Sequence, residues 1–230
     1  MKPLNKAIIF DAGTLITLSM NGLTDELRKL KTIFDGSFLI TSKIKEEIID
    51  KPINIKNFEL EALRSKKLLD DGVLELAEYY GFDNSEIEAR AIKIMDVANS
   101  FFASSKEQVK IMHLGEASCL ALSSILNDKK IVNVIAIDER TTRMLIEKPE
   151  NLKDLLSRKL HTNIRVVKNN FDYFKKFQVI RSAELMYVAW KKGLIELKDG
   201  ISILDALLYA TKSKGCAISQ EEIEEIKKLR

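Results

Sequence analysis

Two short apolar runs, Lys6-Ala7-Ile8-Ile9-Phe10 and Ile131-Val132-Asn133-Val134-Ile135-Ala136-Ile137, each end directly on an aspartate, Asp11 and Asp138. Runs of this length, rich in β-branched residues, have the pattern of strands buried on both faces. Helical periodicity fills most of the sequence between and after them. Strands separated by helical segments predict an α/β fold, a parallel sheet flanked by helices. In such a sheet ligands bind outside the carboxyl ends of the strands, which is where these two aspartates fall.

Between the two runs, residues from about Thr24 to Phe34 read as an amphipathic helix and Ser37 to Thr41 as another short strand. A helix capped by Ser42 follows and runs to Asp50, with Pro52 closing it. From about 53 to 110 the spacing predicts helix throughout, at Phe58–Leu69, Val73–Tyr80 and Ile87–Phe102, with no strand signal. This reads as a helical insertion in a single domain spanning 1–230. Gly115 precedes a helix over Glu116–Leu126. After Asp138 come helices from about Glu139 and over Leu152–Leu160, and a strand at Asn163–Val167. The tail is predicted wholly helical, over Tyr173–Lys192, Ile203–Lys214 and Ser219–Leu229, with Gly193 and Gly215 ending the first two.

At 46% hydrophobic residues the chain can bury a substantial core, which excludes a disordered segment. The 37 basic and 34 acidic side chains leave a net charge of +3, so any nucleic-acid contact must come from a local patch. No apolar run reaches the ~18–20 residues of a membrane span, and Asp11 interrupts the apolar stretch nearest the N-terminus. Cys119 and Cys216 have no metal-ligand spacing and fit a reducing compartment. A cytoplasmic protein with no membrane partner is the expectation. His113 and His161 have no ligand-spaced partner either. Phe101, Phe102 and Trp190 sit among apolar neighbours as core residues.

Each acidic residue, taken singly, has an ordinary structural explanation. Asp11 and Asp138 can cap helices, Glu116 suits a helix N-terminus, and Glu47 suits a solvated helix face. Together they are four carboxylates from separate segments, two of them at strand ends. Such charges repel unless a cation lies between them, and hard divalent ions take oxygen ligands.

The string Phe10-Asp11-Ala12-Gly13-Thr14-Leu15 is similar to the nucleophile loop of haloacid-dehalogenase phosphatases. That loop needs a second aspartate where Gly13 stands. It is also similar to the phosphate loop of actin-like ATPases, which need a further glycine-rich site, and this chain has no Gly-Gly pair. A third resemblance covers more residues. Asp11-Ala12-Gly13-Thr14-Leu15-Ile16, then Ile40-Thr41-Ser42-Lys43-Ile44-Lys45-Glu46-Glu47-Ile48, then Leu114-Gly115-Glu116-Ala117, then Ile137-Asp138-Glu139-Arg140 resemble, in order, the motifs of the PIN-domain nucleases. The likeness is to the branch with an Asp-Ala-Ser-Pro-Leu-Ile first motif and a later Asp-Glu-Arg. The tail from Phe177 to Leu229, with Lys191-Lys192-Gly193-Leu194-Ile195, resembles the helical end of that branch. The likeness spans roughly residues 5–50 and 111–229.

The resemblance implies a PIN-like sheet and a metal-dependent endoribonuclease that hydrolyses single-stranded RNA. Asp11, Glu47, Glu116 and Asp138 match the acidic catalytic positions. Mg²⁺ or Mn²⁺ would be held by Asp11, Glu116 and Asp138. Lys43, Arg140 and Arg143 would contact substrate phosphates, and Thr14 and Glu139 would support the acids. Gly13 departs from the Ser or Asn of many family members, and Glu46 competes with Glu47. A catalytically inactive interaction module and the toxin of a toxin–antitoxin pair are the alternatives. The resemblance admits an antitoxin-like protein partner or a homodimer.

Overall fold

The computed structural model describes residues 4–105, 107–197 and 201–229. Its centre is a five-stranded, all-parallel sheet in the order β3-β2-β1-β5-β7. The predicted runs supply its middle. Strand β1 (Lys6–Phe10) lies between β2 (Ser37–Ile40) and β5 (Val132–Ala136), with Ile8 in register with Phe38 on one side and Val134 on the other. The chain winds outward from β1 to β2 and β3, then returns to the far side of β1 for β5. The strand order therefore reverses between β1 and β5, the kind of position where open α/β sheets form a ligand crevice.

Helices α1 (Ala12–Met20), α2 (Thr24–Ile33) and α3 (Ser42–Lys45) follow the first strands. Helix α4 (Glu59–Asp70) leads to β3 (Glu75–Leu76), and α5 (Asn84–Asn99) to β4 (Phe102–Ala103). Helix α6 (Leu114–Asp128) packs across β1 and β5 and carries α5 on its other side. After β5 come α7 (Arg140–Glu147), α8 (Leu152–Leu160), β6 (Arg165–Val166) and β7 (Val179–Ile180). The tail forms α9 (Ser182–Lys191), α10 (Ile201–Ser213) and α11 (Gln220–Lys228).

Four expectations are corrected. The 53–110 segment is not purely helical. Leu74 turns inward, fully buried, and the next two residues form β3 on the edge of β2. The Val73–Tyr80 segment is thus a strand followed by a 3-10 turn at Ala77–Tyr80. Second, the Asn163–Val167 strand shrinks to β6 and pairs antiparallel with β4 outside the main sheet. Third, Tyr173–Lys192 is broken into a 3-10 turn at Phe174–Lys176, strand β7 and α9. Two-residue strands are too short to leave a periodicity, and they form only because a neighbouring strand presents free backbone groups. Fourth, Thr41 rather than Ser42 caps α3, accepting the Ile44 N–H at 3.2 Å. The segment Glu46–Asp50 then widens into a π-type turn.

The main core gathers both faces of β1 and β2 with α6. Phe38 is 1% exposed and meets Phe10 edge-to-face, with ring centroids 5.1 Å apart. Phe101 and Phe102 are buried as expected, Phe101 against Phe171 and Phe174. Gly193 takes a φ of 68° just past α9, a left-handed turn that favours glycine.

Candidate functional site

Asp11 leaves β1 while its backbone is still held, since its N–H donates to Ala136 O of β5 at 3.0 Å. It then caps α1, accepting the Gly13 N–H at 3.0 Å through Oδ2. A Cβ at position 13 would lie 3.2 Å from that oxygen, so glycine there lets the carboxylate fold tightly onto the helix start. The α1 helix itself was not foreseen. Its only sequence sign was an aspartate followed by apolar residues.

Asp11 is 5% exposed, and its carboxyl is pushed up to about 7. Burial is the main cause, followed by the Glu116 charge, and Glu47 adds to it. Glu116 and Glu47 are also raised, each chiefly by burial. Cys119, beneath them on α6, is raised well above the thiol range by burial and by the charges of Asp11, Glu116 and Glu47. Three of the four expected carboxylates therefore share one electrostatic field at the crevice.

Each reaches it for a local reason. Glu116 is the third residue of α6, and its carboxylate accepts the His113 N–H at 2.7 Å. Glu47 sits in the π-type turn, half-buried, with its carboxylate against Gly115. A Cβ on Gly115 would meet Glu47 Oε2 at 2.7 Å, so a side chain there would displace the Glu47 carboxylate from its place against the helix start. Neighbouring Glu46 instead binds Lys43 at 2.7 Å and Lys51 at 2.7 Å, which holds it down at about 2. Lys43 is thereby tied to Glu46 at the mouth of a small cavity lined also by Thr41 and Ser118.

Asp138 is differently employed. It is 1% exposed, and both its oxygens are engaged by Ser182. The Ser182 N–H donates to Oδ1 at 2.8 Å and the hydroxyl to Oδ2 at 2.8 Å. Asp138 thus ties the end of β5 to the start of α9, and its charge, after burial, helps raise Cys216 to about 12. Ser182 had no recognisable signal, because the β7–α9 junction was hidden inside an expected helix. We expect Asp138→Ala to cost about 1–3 kcal/mol by stranding the Ser182 donors. Asp138→Asn retains an acceptor for the N–H and should melt near the wild type; equal melting of both variants would refute this tie.

Glu139 caps α7 by accepting the Thr142 N–H at 2.7 Å, and pairs with Lys159 at 3.7 Å. Thr14 is fully buried in the first turn of α1, and its hydroxyl has no partner among the described residues. Arg143 is 8% exposed, approaches Glu147 at 3.4 Å through Nε, and leaves Nη1 without a partner among the described residues. Arg140 is exposed.

Among the described residues, no three acidic, histidine or cysteine side chains are gathered into a ready metal cage. The donor chemistry nonetheless fits a hard divalent cation. Glu116 and Glu47 raise the cost of ionising Asp11, and Glu116 that of ionising Glu47, which a cation relieves, and the orphaned Thr14 hydroxyl lies one turn from Asp11. The engaged oxygens of Asp138 keep lone pairs beyond those given to Ser182. Comparison with models of known protein families, with curated protein sequences and with solved structures found no match to this chain.

Proposed function

We propose that this chain is a PIN-like, metal-dependent endoribonuclease acting on single-stranded RNA. The observation that carries the reading is the buried Asp11 carboxyl at the strand-order reversal, raised to about 7 in a field shared with Glu116 and Glu47. The order of the four motifs along the sequence supports it further.

Asp11, Glu116 and Asp138 would hold Mg²⁺ or Mn²⁺, with Glu47 assisting. Bound there, the cation supplies Lewis-acid charge that acidifies a water and offsets charge on the leaving oxygen. Glu47 orients the attacking water through its carboxylate, and Gly115 leaves it the room to do so. Ser182 keeps the Asp138 carboxylate in one orientation, and Thr14 offers a hydroxyl beside Asp11.

Two experiments test this. Purified protein with Mn²⁺ is expected to cleave labelled single-stranded RNA, and Asp11→Asn to remove that activity; cleavage retained in Asp11→Asn would overturn the assignment. Gly115→Ala is expected to push Glu47 aside and lower cleavage roughly 10- to 100-fold, the scale of losing a positioned polar group. Its melting temperature should stay near the wild type, because the displaced atoms are the far end of a flexible side chain. The dual engagement of Asp138 favours a second reading, a PIN-like interaction module without catalysis. Calorimetry separates the two: absence of Mn²⁺ binding selects the module.

A further inference from the structure

The surface beside the acids is not uniformly acidic. Three cavities run in sequence across α7 and α8, and neighbouring ones share lining residues. The first, of about 710 Å³, contains Glu116, Glu139 and His113 and is bordered by Thr141 and Lys159. Thr141 and Lys159 also line the second, of about 390 Å³, together with Arg140 and Arg158. Arg140 in turn lines the third, of about 550 Å³, where Arg143, Lys148 and Lys212 outnumber the acids Glu147 and Glu222.

The middle recess has three basic side chains and no acidic one. Arg140 and Lys148 make no ion pair among the described residues, and Arg158 bonds only the backbone oxygen of Asp154, at 3.2 Å. Lys159 is shared with Glu139 at 3.7 Å, but cations without a carboxylate partner along the same groove, Arg140, Arg158 and Lys148, signal an anionic occupant. The third cavity supplies an independent sign, for Arg143 lines it, is more than nine-tenths buried, and, although its Nε approaches Glu147 at 3.4 Å, keeps Nη1 without a partner among the described residues. That buried donor is costly unless a further acceptor, such as a phosphate oxygen, completes it.

We propose that this row of cavities is the path of a single-stranded nucleic acid leaving the acid cluster. Arg140, Arg158 and Lys159 hold consecutive backbone phosphates over α7 and α8, and Arg143 and Lys148 hold the strand at the far end. The inference rests on the nuclease reading and adds the direction of the strand and the residues that carry it. A chain of adjoining recesses suits an extended strand, whereas one free phosphate would fill only one of them. The three basic side chains around the middle recess suit contacts to backbone phosphates.

Binding is measured by fluorescence anisotropy of a labelled single-stranded RNA with metal chelated, so that nothing is cleaved. Salt is varied from about 50 mM to about 200 mM. Arg140→Gln, Arg158→Gln and Lys159→Gln are each expected to weaken binding and to flatten the slope of log K against log salt by about 0.7, the loss of one phosphate contact on a single strand. All three sites are exposed, so melting temperatures should not move. Lys129→Gln, just before β5 and at the opposite end of that strand from Asp138, removes the same charge and is expected to leave the slope unchanged. The triple variant should also lose the gain in affinity that a longer oligonucleotide shows over a short one.

Wild-type affinity and slope in the triple variant would overturn the path. So would full displacement of RNA by millimolar inorganic phosphate, which would mark a free-anion site, or failure of the wild-type protein to bind RNA. None of these results decides the nuclease reading, which stands or falls on Mn²⁺-dependent cleavage by wild type and Asp11→Asn.

Discussion

Asp11→Asn is expected to melt several degrees higher than the wild type in chelator at about pH 8, and to gain nothing at about pH 4. The sign follows from linkage. Asp11 titrates near 3.8 when unfolded and near 7 when folded, so between those values the folded state holds a proton that the unfolded state has released. More protons on the folded state means stability falls as pH rises through this window. Above it the folded protein carries a buried carboxylate beside Glu116 and Glu47. At about 1.4 kcal/mol for each pH unit between those two values, the penalty is on the order of 4 kcal/mol. Asparagine can still accept the Gly13 N–H but cannot ionise. Adding Mn²⁺ should raise the melting temperature of the wild type at about pH 8 and leave the variant almost unmoved, because the cation relieves a repulsion the variant lacks. Melting curves of the two proteins that coincide across pH would show that Asp11 is an ordinary helix cap.

Phe38→Ala is expected to destabilise the metal-free protein by about 3–5 kcal/mol, read from the midpoint of denaturant unfolding. Phe38 is 1% exposed at the centre of β2, with the ring of Phe10 at 5.1 Å and that of Phe34 at 5.4 Å. Removing it leaves a cavity bounded by Phe10, the residue that delivers Asp11 to the crevice. Mn²⁺ affinity should therefore fall together with stability. Phe38→Leu fills most of that volume and should cost roughly half as much or less. A loss below about 1 kcal/mol for Phe38→Ala would mean that the sheet closes around the gap.

The spacing of apolar residues was enough to place β1, β2 and β5, the helices α2, α4, α5 and α6, and the carboxylates at two strand ends. Those are local properties, since a buried strand and an amphipathic helix each carry their own periodicity. Glu47 was preferable to Glu46 for the same kind of reason, its position relative to Ile44 and Ile48. The edge strands were not legible. β3 and β7 are two residues each, and they exist because β2 and β5 offer unsatisfied backbone groups, a condition set by partners far away in sequence.

The acids divide along the same line. That Asp11, Glu116 and Asp138 fall at element ends, and Glu47 within a helical segment, is readable from the residues around them. Which of them share a field is decided only by the tertiary structure. Burial and proximity make Asp11, Glu116 and Glu47 one electrostatic unit, while Ser182, 44 residues from Asp138, takes both of that carboxylate's oxygens. The row of cavities over α7 and α8 belongs to the second class too. Arg140 has a phosphate-contacting role in the sequence only through its family resemblance, Lys159 has none, and the two become neighbours only when two helices pack. Local pattern determines what each segment is, and the energy of a charge depends on what surrounds it, which the segment alone does not contain.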